Sequence, residues 1–169
     1  LAARSREQGI TGRISEALAE VRGAMTMLAM DETTLLGYRD PMGFRPLLLG
    51  RAPERFYLAS ETCAFDLLGA EYIRDMKRGE VAVVDVGGLH SFKPFPPERA
   101  APCFFEHVYF SRPDSILFGE SVQEIRKRLG VELFREHPLD VDIVVPVPDS
   151  GLYGALGYAG AAGLPFEMG

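Results

Sequence analysis

The sequence predicts an α+β fold over residues 1–93, followed by a linker and the beginning of an α/β fold over residues 94–169. Short apolar runs separated by turn residues fill most of the first region, as expected for strands. Four prolines between Lys93 and Pro102 favour an extended crossing between domains. Near the end, a β-branched run, a Ser/Gly loop and a small-residue helix follow one another, and this order begins an α/β unit.

The composition is that of a soluble globular protein and argues against a nucleic-acid-binding surface. Of 169 residues, 47% are hydrophobic and 25% are charged. A net charge of -6 provides no broad excess of Lys and Arg to displace counterions from nucleic-acid phosphates. The most apolar long run, Gly151–Leu164, is too short to cross a bilayer as a helix, and no signal peptide is visible. We therefore expect neither a nucleic-acid partner nor a membrane partner.

The two cysteines, Cys63 and Cys103, lie far apart and form no CxxC pair. Neither a disulfide framework nor a self-contained zinc site is therefore predicted, and a reducing cytoplasm fits best. Cys63 is expected to be a small core residue. The chain opens at Leu1 without Met and closes at Gly169 just after a helix-like segment, and we interpret it as an internal piece of a longer protein.

The first region begins with an amphipathic helix and continues mostly as strands. The helix is predicted over Ile10–Val21, with Thr11 as its N-cap. Ala24–Met30 is predicted as a buried strand whose Met25, Met27 and Leu28 fill the core. The paired glycines Gly87-Gly88 predict a two-residue hairpin turn. The other predicted elements are strands at Thr33–Tyr38, Phe56–Ala59, Val81–Val86 and Leu89–Phe92 and a short helix at Thr62–Leu68.

A polar corner, Arg39–Pro46, lies between the predicted strand Thr33–Tyr38 and the apolar run Leu47–Leu49. It combines two arginines and an aspartate with Gly and Pro residues that constrain a turn. Such a cluster can be a structural ion-pair corner or part of a substrate site, and the residues alone favour structure.

The composition changes at Pro102–Ser115, where aromatic and apolar residues surround one acid, Glu106. A buried strand with a tight exit is the plain interpretation. A helix is predicted next, over Glu120–Phe134, with Ser121 beginning it and Glu124 in capping-box position. Its apolar stripe is predicted to consist of Val122, Ile125, Leu129 and Leu133.

The last stretch predicts a strand at Val141–Val147, a loop at Pro148–Gly151 and a helix from Leu152 to about Ala162. Such a loop suits anions, because backbone N–H groups and the positive end of the helix dipole point towards it. Asp149 and Ser150 occupy the loop. A role for Ser150 as a simple N-cap is about equally supported by the residues alone. The loop lacks the GxxxxGK[ST] pattern of a P-loop.

Several segments resemble glutamine phosphoribosylpyrophosphate amidotransferases, in that family's order. They are PCFFEHVYFSRPDS, RDPMGFRPL, YLASETCAFD, KRGEVAVVD and VVPVPDSG with GYAGAAGLPFEMG. One residue departs from the family's pattern, since Arg78 of KRGEVAVVD stands where proline is usual. The resemblance implies the later half of a glutamine amidotransferase type 2 domain, an N-terminal-nucleophile layered sheet, over residues 1–93. It implies the linker and the beginning of a type I phosphoribosyltransferase domain over residues 94–169.

The implied parent enzyme transfers ammonia from glutamine to phosphoribosylpyrophosphate, giving 5-phosphoribosylamine, glutamate and pyrophosphate. This is the first step of de novo purine biosynthesis. The family's glutaminase uses an amino-terminal cysteine, whereas this chain starts with Leu1, so we expect no glutaminase activity from these residues alone. The alternative is a noncatalytic fragment or interaction piece. His90, His107 and His137 suggest no nucleophile pair with Ser or Cys.

The resemblance also implies site residues and cofactors. Asp149, Ser150 and Gly151 correspond to the family's pyrophosphate loop, and Ser150 to a residue associated with magnesium. Magnesium accepts hydroxyl oxygen, but one oxygen makes no octahedral site. Cys103 corresponds to one of four ligands of a 4Fe-4S cluster in iron-sulfur members, although cluster-free members can carry a cysteine there too. A cytoplasmic homo-oligomer is expected.

Overall fold

The computed structural model describes residues 1–96 and 98–169 and divides them into two compact units, Leu1–Cys103 and Phe104–Gly169. The predicted linker Lys93–Pro102 is part of the first unit, with Pro97 outside the described residues. The division between the units falls at the end of the predicted linker.

The first unit consists of two antiparallel sheets and two helices. Helix α1 spans Gly9–Glu20, after a short 3-10 turn at Ala2–Arg4, and helix α2 spans Cys63–Leu68. The strands are β1 Thr26–Met30, β2 Leu35–Arg39, β3 Leu48–Ala52, β4 Arg55–Ala59, β5 Glu71–Asp75, β6 Val81–Asp85 and β7 Gly88–Phe92. They form a four-stranded sheet in the order β1-β2-β6-β7 and a three-stranded sheet in the order β4-β3-β5.

Helix α1 covers one face of the four-stranded sheet. Leu18 of the helix is buried in a cluster with side chains from β2 and β6, which are Leu36, Tyr38, Val81 and Val83. Alternate residues of a strand point to opposite faces, so Gly37 and Ala82, which are paired between β2 and β6, point away from the helix.

The opposite face of the four-stranded sheet packs against the three-stranded sheet. Leu47 and Met76, which adjoin β3 and β5, form a buried cluster with Ala82 of β6. A Cβ atom built on Gly37 would lie 2.6 Å from Cδ1 of Leu58, so the sheets meet closely there. On the other side of the three-stranded sheet, Phe65 of α2 fills the space beside Gly50. The first unit is therefore layered as helix, sheet, sheet and helix.

The predicted strands of this region are confirmed, but some details of the prediction are wrong. Helix α1 begins at Gly9 with Gln8 as N-cap, so Thr11 lies inside the helix. Strand β1 is an edge strand, and Leu28 is 50% exposed instead of buried. Gly88 pairs with Asp85, so the hairpin turn begins one residue earlier than Gly87-Gly88.

The second unit contains a π-helix at Glu106–Phe110, a two-stranded ribbon and two α-helices. The ribbon pairs β8 Ile116–Leu117 with β9 Glu120–Ser121. Helix α3 spans Val122–Glu136 and helix α4 spans Leu152–Ala162. Among residues 1–96 and 98–169, none of the helices has the length and apolar character that a membrane crossing requires.

The predicted buried strand within Pro102–Ser115 is wrong, because a π-helix forms at Glu106–Phe110 and the aromatic side chains in and just before it are exposed. Glu106 and His107 are the buried members of the helix. The aromatic residues are each more than half exposed, at 60%, 59%, 64% and 51% for Phe104, Phe105, Tyr109 and Phe110. The aromatic content resembled that of a buried strand, whereas the polar side chains face inwards.

Helix α3 forms where it was predicted, with a different buried face. Ser121 accepts the predicted capping hydrogen bond from the Glu124 N–H at 3.4 Å. The buried residues of α3 are Val122, Arg126 and Gly130. Leu129 and Leu133, placed on the predicted apolar stripe, are 39% and 52% exposed. The stripe is therefore rotated, and the reason lies in the contact with α4.

Helices α3 and α4 meet backbone to backbone. A Cβ atom built on Gly130 would lie 1.9 Å from the carbonyl oxygen of Gly154. One built on Gly157 would lie 2.0 Å from the carbonyl oxygen of Lys127. Because these distances are far below contact distance, α3 turns its glycine face towards α4 instead of its leucines.

The predicted strand Val141–Val147 makes one parallel bridge within the described residues, between Val144 and Phe166. Val144 N–H donates to the carbonyl of Pro165 at 3.0 Å, and Glu167 N–H donates back to Val144 at 3.1 Å. The segment before α4 and the segment after it therefore run side by side in the same direction. This is the arrangement of a βαβ crossover with a minimal ladder.

Candidate functional site

The loop Pro148–Gly151 lies between the extended segment and the first turn of α4. Gly151 N–H donates to the carbonyl of Val147 at 3.0 Å, and Leu152 N–H donates to the carbonyl of Asp149 at 3.3 Å. The peptide bond between Pro148 and Asp149 is cis. Asp149 and Ser150 are both exposed. Their carboxylate and hydroxyl are therefore accessible at the amino end of an eleven-residue helix.

The alternative role of Ser150 as N-cap does not fit this geometry. The N-cap of α4 is Gly151, which has no side chain to accept a capping hydrogen bond. Ser150 precedes the cap and remains exposed. Its hydroxyl thus lies beside the positive end of the helix dipole without serving as the N-cap.

Helix α4 is held in place by its contact with α3 and by Tyr158 in its second half. The Tyr158 hydroxyl donates to the carbonyl of His137 at 3.0 Å and accepts from the Leu139 N–H at 3.1 Å. The Tyr158 ring packs edge-on against Phe134 of α3, with 5.3 Å between centroids. The end of α3, the chain that follows it and α4 are thereby fixed together, which gives the loop a rigid support.

The polar corner Arg39–Pro46 lies in the first unit, and its side chains have structural roles. The Asp40 carboxylate accepts hydrogen bonds from the N–H groups of Met42, Gly43 and Phe44, at 3.0, 2.8 and 3.0 Å. These bonds shape a turn in which Gly43 has a φ of 69°. Asp40 is 1% exposed, so its carboxylate is committed to the backbone instead of to a ligand.

The Arg39 guanidinium completes this corner. It donates to the carbonyl oxygens of Arg45, Met76 and Gly43 at 3.0, 2.6 and 3.2 Å. Burial lowers the pKa of Arg39, while the neighbouring carboxylates of Asp75 and Asp40 raise it in part. The structural interpretation of the corner is therefore favoured over a substrate site.

The two cysteines lie in different surroundings within the first unit. Cys63 is buried at the start of α2, as predicted, with its thiol 3.9 Å from a Glu61 carboxylate oxygen. Cys103 is half-buried, and its N–H donates to the carbonyl of Phe44 at 2.8 Å. Among residues 1–96 and 98–169, no three His, Cys, Asp or Glu side chains come together as a metal site. One thiolate does not fit a 4Fe-4S cluster, which takes four.

One buried polar cluster escaped the sequence analysis. Arg126 of α3 is 5% exposed and donates to the carbonyl oxygens of His107 and Ser111 at 2.6 and 2.8 Å. The Ser111 hydroxyl donates to the Glu106 carboxylate at 2.9 Å. These bonds attach the π-helix to α3. The sequence signal for this cluster was the position of Arg126, which lies four residues after the apolar Val122 and four residues before Gly130.

The histidines show no catalytic pairing among the contacts of the described residues. His107 is buried with its Nε2 3.3 Å from the carbonyl of Leu117, and its ring packs on Phe118. His90 lies 3.5 Å from the Asp85 carboxylate on the exposed face of the hairpin. Both arrangements fit structural or solvated histidines.

The chain matches no protein-family model, but it is similar to several curated proteins over its whole length. It is 44% identical over 174 residues to the amidophosphoribosyltransferase of Rhizobium etli, covering 100% of this chain and 35% of that protein. It is 45% identical over 157 residues to that of Archaeoglobus fulgidus, covering 93% and 34%. The chloroplastic protein of Glycine max is 45% identical over 170 residues, covering 100% and 30%.

Solved structures agree with these sequence similarities. Glutamine phosphoribosylpyrophosphate amidotransferase from B. subtilis, complexed with ADP and GMP, matches with a TM-score of 0.95 and 39% identity. The match covers 100% of this chain and 37% of that one. A structure described as the allosteric regulatory enzyme of purine biosynthesis matches equally well, with a TM-score of 0.95.

The chain thus spans about a third of the length of the relatives that it matches. The similarity covers both units, including the corner Arg39–Pro46 and the loop Pro148–Gly151. Over the segment that it spans, the chain belongs to the amidophosphoribosyltransferase family.

Proposed function

We propose that the protein carrying this segment transfers ammonia from glutamine to phosphoribosylpyrophosphate, giving 5-phosphoribosylamine, glutamate and pyrophosphate. This is the first step of de novo purine biosynthesis. The observation that carries the proposal is the loop Pro148–Gly151, which exposes Asp149 and Ser150 at the amino end of α4. A pyrophosphate group is the kind of anion that a helix amino end binds. Identity of about 45% over both units supports the same conclusion.

In this proposal the loop binds the pyrophosphate part of the substrate. The backbone N–H groups and dipole of α4 attract the phosphate oxygens, and the Ser150 hydroxyl donates to one of them or binds its magnesium ion. Asp149 and Ser150 supply hard oxygen atoms, which suits magnesium, with the other ligands coming from phosphates and water. Bound magnesium would neutralise charge on the leaving pyrophosphate.

The first unit corresponds to the later half of the glutaminase domain. Its helix, sheet, sheet and helix layers are the support for the proposed N-terminal-nucleophile fold. The second unit, with its parallel contact across α4, corresponds to the start of a type I phosphoribosyltransferase domain. In this assignment, the corner Arg39–Pro46 maintains the fold of the first unit, which corresponds to the glutaminase domain.

The expected surroundings follow from the same assignment. Glutamine and phosphoribosylpyrophosphate are the proposed substrates, and a homo-oligomer is the proposed assembly. Both cysteines are free thiols, which suits a reducing compartment such as the cytoplasm. Cys103 as one ligand of a 4Fe-4S cluster stays a prediction for the complete enzyme.

Replacing Ser150 with Ala in the complete enzyme tests the proposal. We expect phosphoribosylamine formation to fall by about 100-fold, as for the loss of one hydrogen-bond donor beside the reacting group. Glutamine hydrolysis should fall much less, because Ser150 lies in the second unit. Rates of pyrophosphate release and glutamate release from the same preparation measure the two activities.

Ser150→Thr is the matched control, because it keeps the hydroxyl and should retain most of the ribosyl transfer. Equal loss of both activities in a folded Ser150→Ala enzyme would contradict a phosphate-binding role for the loop.

A further inference from the structure

Arg78 lies in the turn between β5 and β6 and contacts two other segments of the first unit. Its aliphatic stem covers Gly43, since a Cβ atom on that glycine would lie 2.6 Å from Arg78 Cγ. Its guanidinium Nη1 donates a 2.6 Å hydrogen bond to the carbonyl oxygen of Glu98. Arg78 therefore joins the corner to the segment that follows β7.

The segment Glu98–Cys103, called the strap below, runs along the corner. Ala101 N–H donates to the carbonyl of Met42 at 3.0 Å, and Cys103 N–H donates to the carbonyl of Phe44 at 2.8 Å. Alternate residues are bonded, as on one edge of a β-ladder. Arg78 anchors the start of the strap, and these two backbone bonds hold its end.

The turn that carries Arg78 is itself fixed to the corner. Gly79 N–H donates to the carbonyl of Asp40 at 3.1 Å, and Arg39 N–H donates to the carbonyl of Glu80 at 3.1 Å. Arg78 is therefore presented to Glu98 from a rigid platform. A charged donor on such a platform makes a stronger hydrogen bond than a neutral one.

We propose that Arg78 is a positioning residue that holds the strap on the corner and so sets the exposure of Cys103. Without its guanidinium the strap keeps its two backbone bonds but loses the anchor at Glu98. The strap then opens more often from its Glu98 end towards Cys103, which breaks the backbone bonds of Ala101 and Cys103 and exposes the Cys103 thiol.

The two thiols report separate events. Cys103 belongs to the strap and is half-buried, whereas Cys63 is buried at the start of α2 in the same unit. A thiol reagent reacts with the exposed form, so its rate follows the fraction of molecules in which that cysteine is open. Labelling of Cys103 therefore measures strap release, and labelling of Cys63 measures unfolding of the unit. Neither rate depends on the proposed enzymatic activity.

Arg78→Met tests the proposal, because it keeps an aliphatic side chain over Gly43 and removes the donor. Under native conditions with a maleimide reagent, we expect Cys103 to label about tenfold faster than in the wild type, which corresponds to about 1.4 kcal/mol. Cys63 should label at its wild-type rate. Peptide mass spectrometry after quenching distinguishes the two sites.

Two variants serve as controls. Arg78→Lys retains a cationic donor and should restore the Cys103 rate most of the way to that of the wild type. Lys77→Met removes the neighbouring exposed charge and should leave the rate unchanged. If Arg78→Met does not fold, Arg78→Gln replaces it, since its amide is too short to reach Glu98.

An unchanged Cys103 rate in the variant without the donor would overturn the proposal. So would equal acceleration of Cys63 and Cys103, because Arg78 would then stabilise the whole unit instead of the strap. A tenfold increase in Lys77→Met would assign the effect to charge alone and would also overturn it.

Discussion

At the scale of single residues, the first unit depends on buried charged groups that satisfy backbone atoms. Arg39 and Asp40 do this at the corner. Glu80, which is 2% exposed, does it at the next turn. Its carboxylate accepts two hydrogen bonds from Arg74, at 2.9 and 2.6 Å, and one from the Lys77 N–H. A buried carboxylate with such partners costs free energy when a partner or the charge is removed.

Glu80→Gln should therefore lower the free energy of unfolding of the first unit by about 2 kcal/mol. The value is below that for a fully buried ion pair because the Arg74 side chain is 34% exposed and partly screened by water. Urea unfolding at pH 7 measures it. Glu71→Gln changes an exposed acid on β5, the strand that carries Arg74, and should change the free energy of unfolding by less than about 0.5 kcal/mol. Equal effects of the two variants would contradict a special role for Glu80.

The same pair predicts a pH dependence. Burial alone would raise the pKa of Glu80, but hydrogen bonds from Arg74, the Lys77 N–H and Ser91 outweigh it and hold the pKa below 4.5. A carboxyl with a lowered folded pKa stabilises the protein fully above its unfolded pKa and loses this effect as pH falls through the folded pKa.

The difference in unfolding free energy between the wild type and Glu80→Gln should thus be constant from pH 7 to about 5.5. It should narrow below pH 4.5, the ordinary pKa of the carboxyl. Urea unfolding of both proteins across this range checks the sign. A difference that grows on acidification would mean that burial, and not the hydrogen bonds, controls the pKa of Glu80.

At the scale of secondary structure, the contact between α3 and α4 determines where the candidate loop lies. Glycines at the contact let the two backbones approach more closely than any side chain would permit. Both helices were predicted from their periodicity or composition, but the contact was not. A glycine that makes room for a carbonyl and a glycine that faces solvent look the same in a sequence.

Gly157→Ala should destabilise the second unit by about 3 kcal/mol, because its Cβ would meet the carbonyl oxygen of Lys127 at 2.0 Å. Gly160→Ala lies one turn later in the same helix with nothing within 4 Å of its Cβ. That variant should stabilise the helix by about 0.5 to 1 kcal/mol. Thermal unfolding followed by circular dichroism compares them. A Gly157→Ala variant as stable as Gly160→Ala would rule out the close contact.

At the scale of the whole molecule, the two units differ in how much apolar surface they bury. Most fully buried apolar side chains of the described residues belong to the first unit, in the clusters around Leu36 and Leu47. In the second unit, Leu129, Leu133 and the segment Val141–Val147 expose much of their apolar surface. A small unit with few buried side chains opens at a low free energy.

We therefore expect amide protons of α3 to exchange with deuterium faster than those of the paired strands β2 and β6. The difference should be at least about tenfold for residues hydrogen-bonded inside each element, which is about 1.4 kcal/mol of opening free energy. Peptide-resolved exchange of the 169-residue chain at pH 7 measures it. Equal protection of the two units would show that they open together.

Much of the fold could be predicted because its signals are local. The strands around Tyr38 and Val83, the hairpin that ends at Phe92 and the cap at Ser121 all follow from alternation, turn residues or capping patterns. The segment from Phe104 to Phe110 was predicted wrongly because aromatic residues suit a strand and an exposed helix face equally. Its conformation depends on Arg126, which lies in another element.

Local patterns along the chain specify the order of the elements, the small-residue helix and the Ser/Gly loop before it, because each depends on residues that are neighbours in sequence. The family resemblance could also be seen in the sequence, and similarity to relatives over the whole length of this chain confirms it. Only the folded chain shows which side of α3 is buried, what Arg39, Arg78 and Arg126 bind, and that Gly151 instead of Ser150 caps α4. These depend on atoms that are distant in sequence or on the backbone angles of one turn, and a linear pattern of residue types specifies neither.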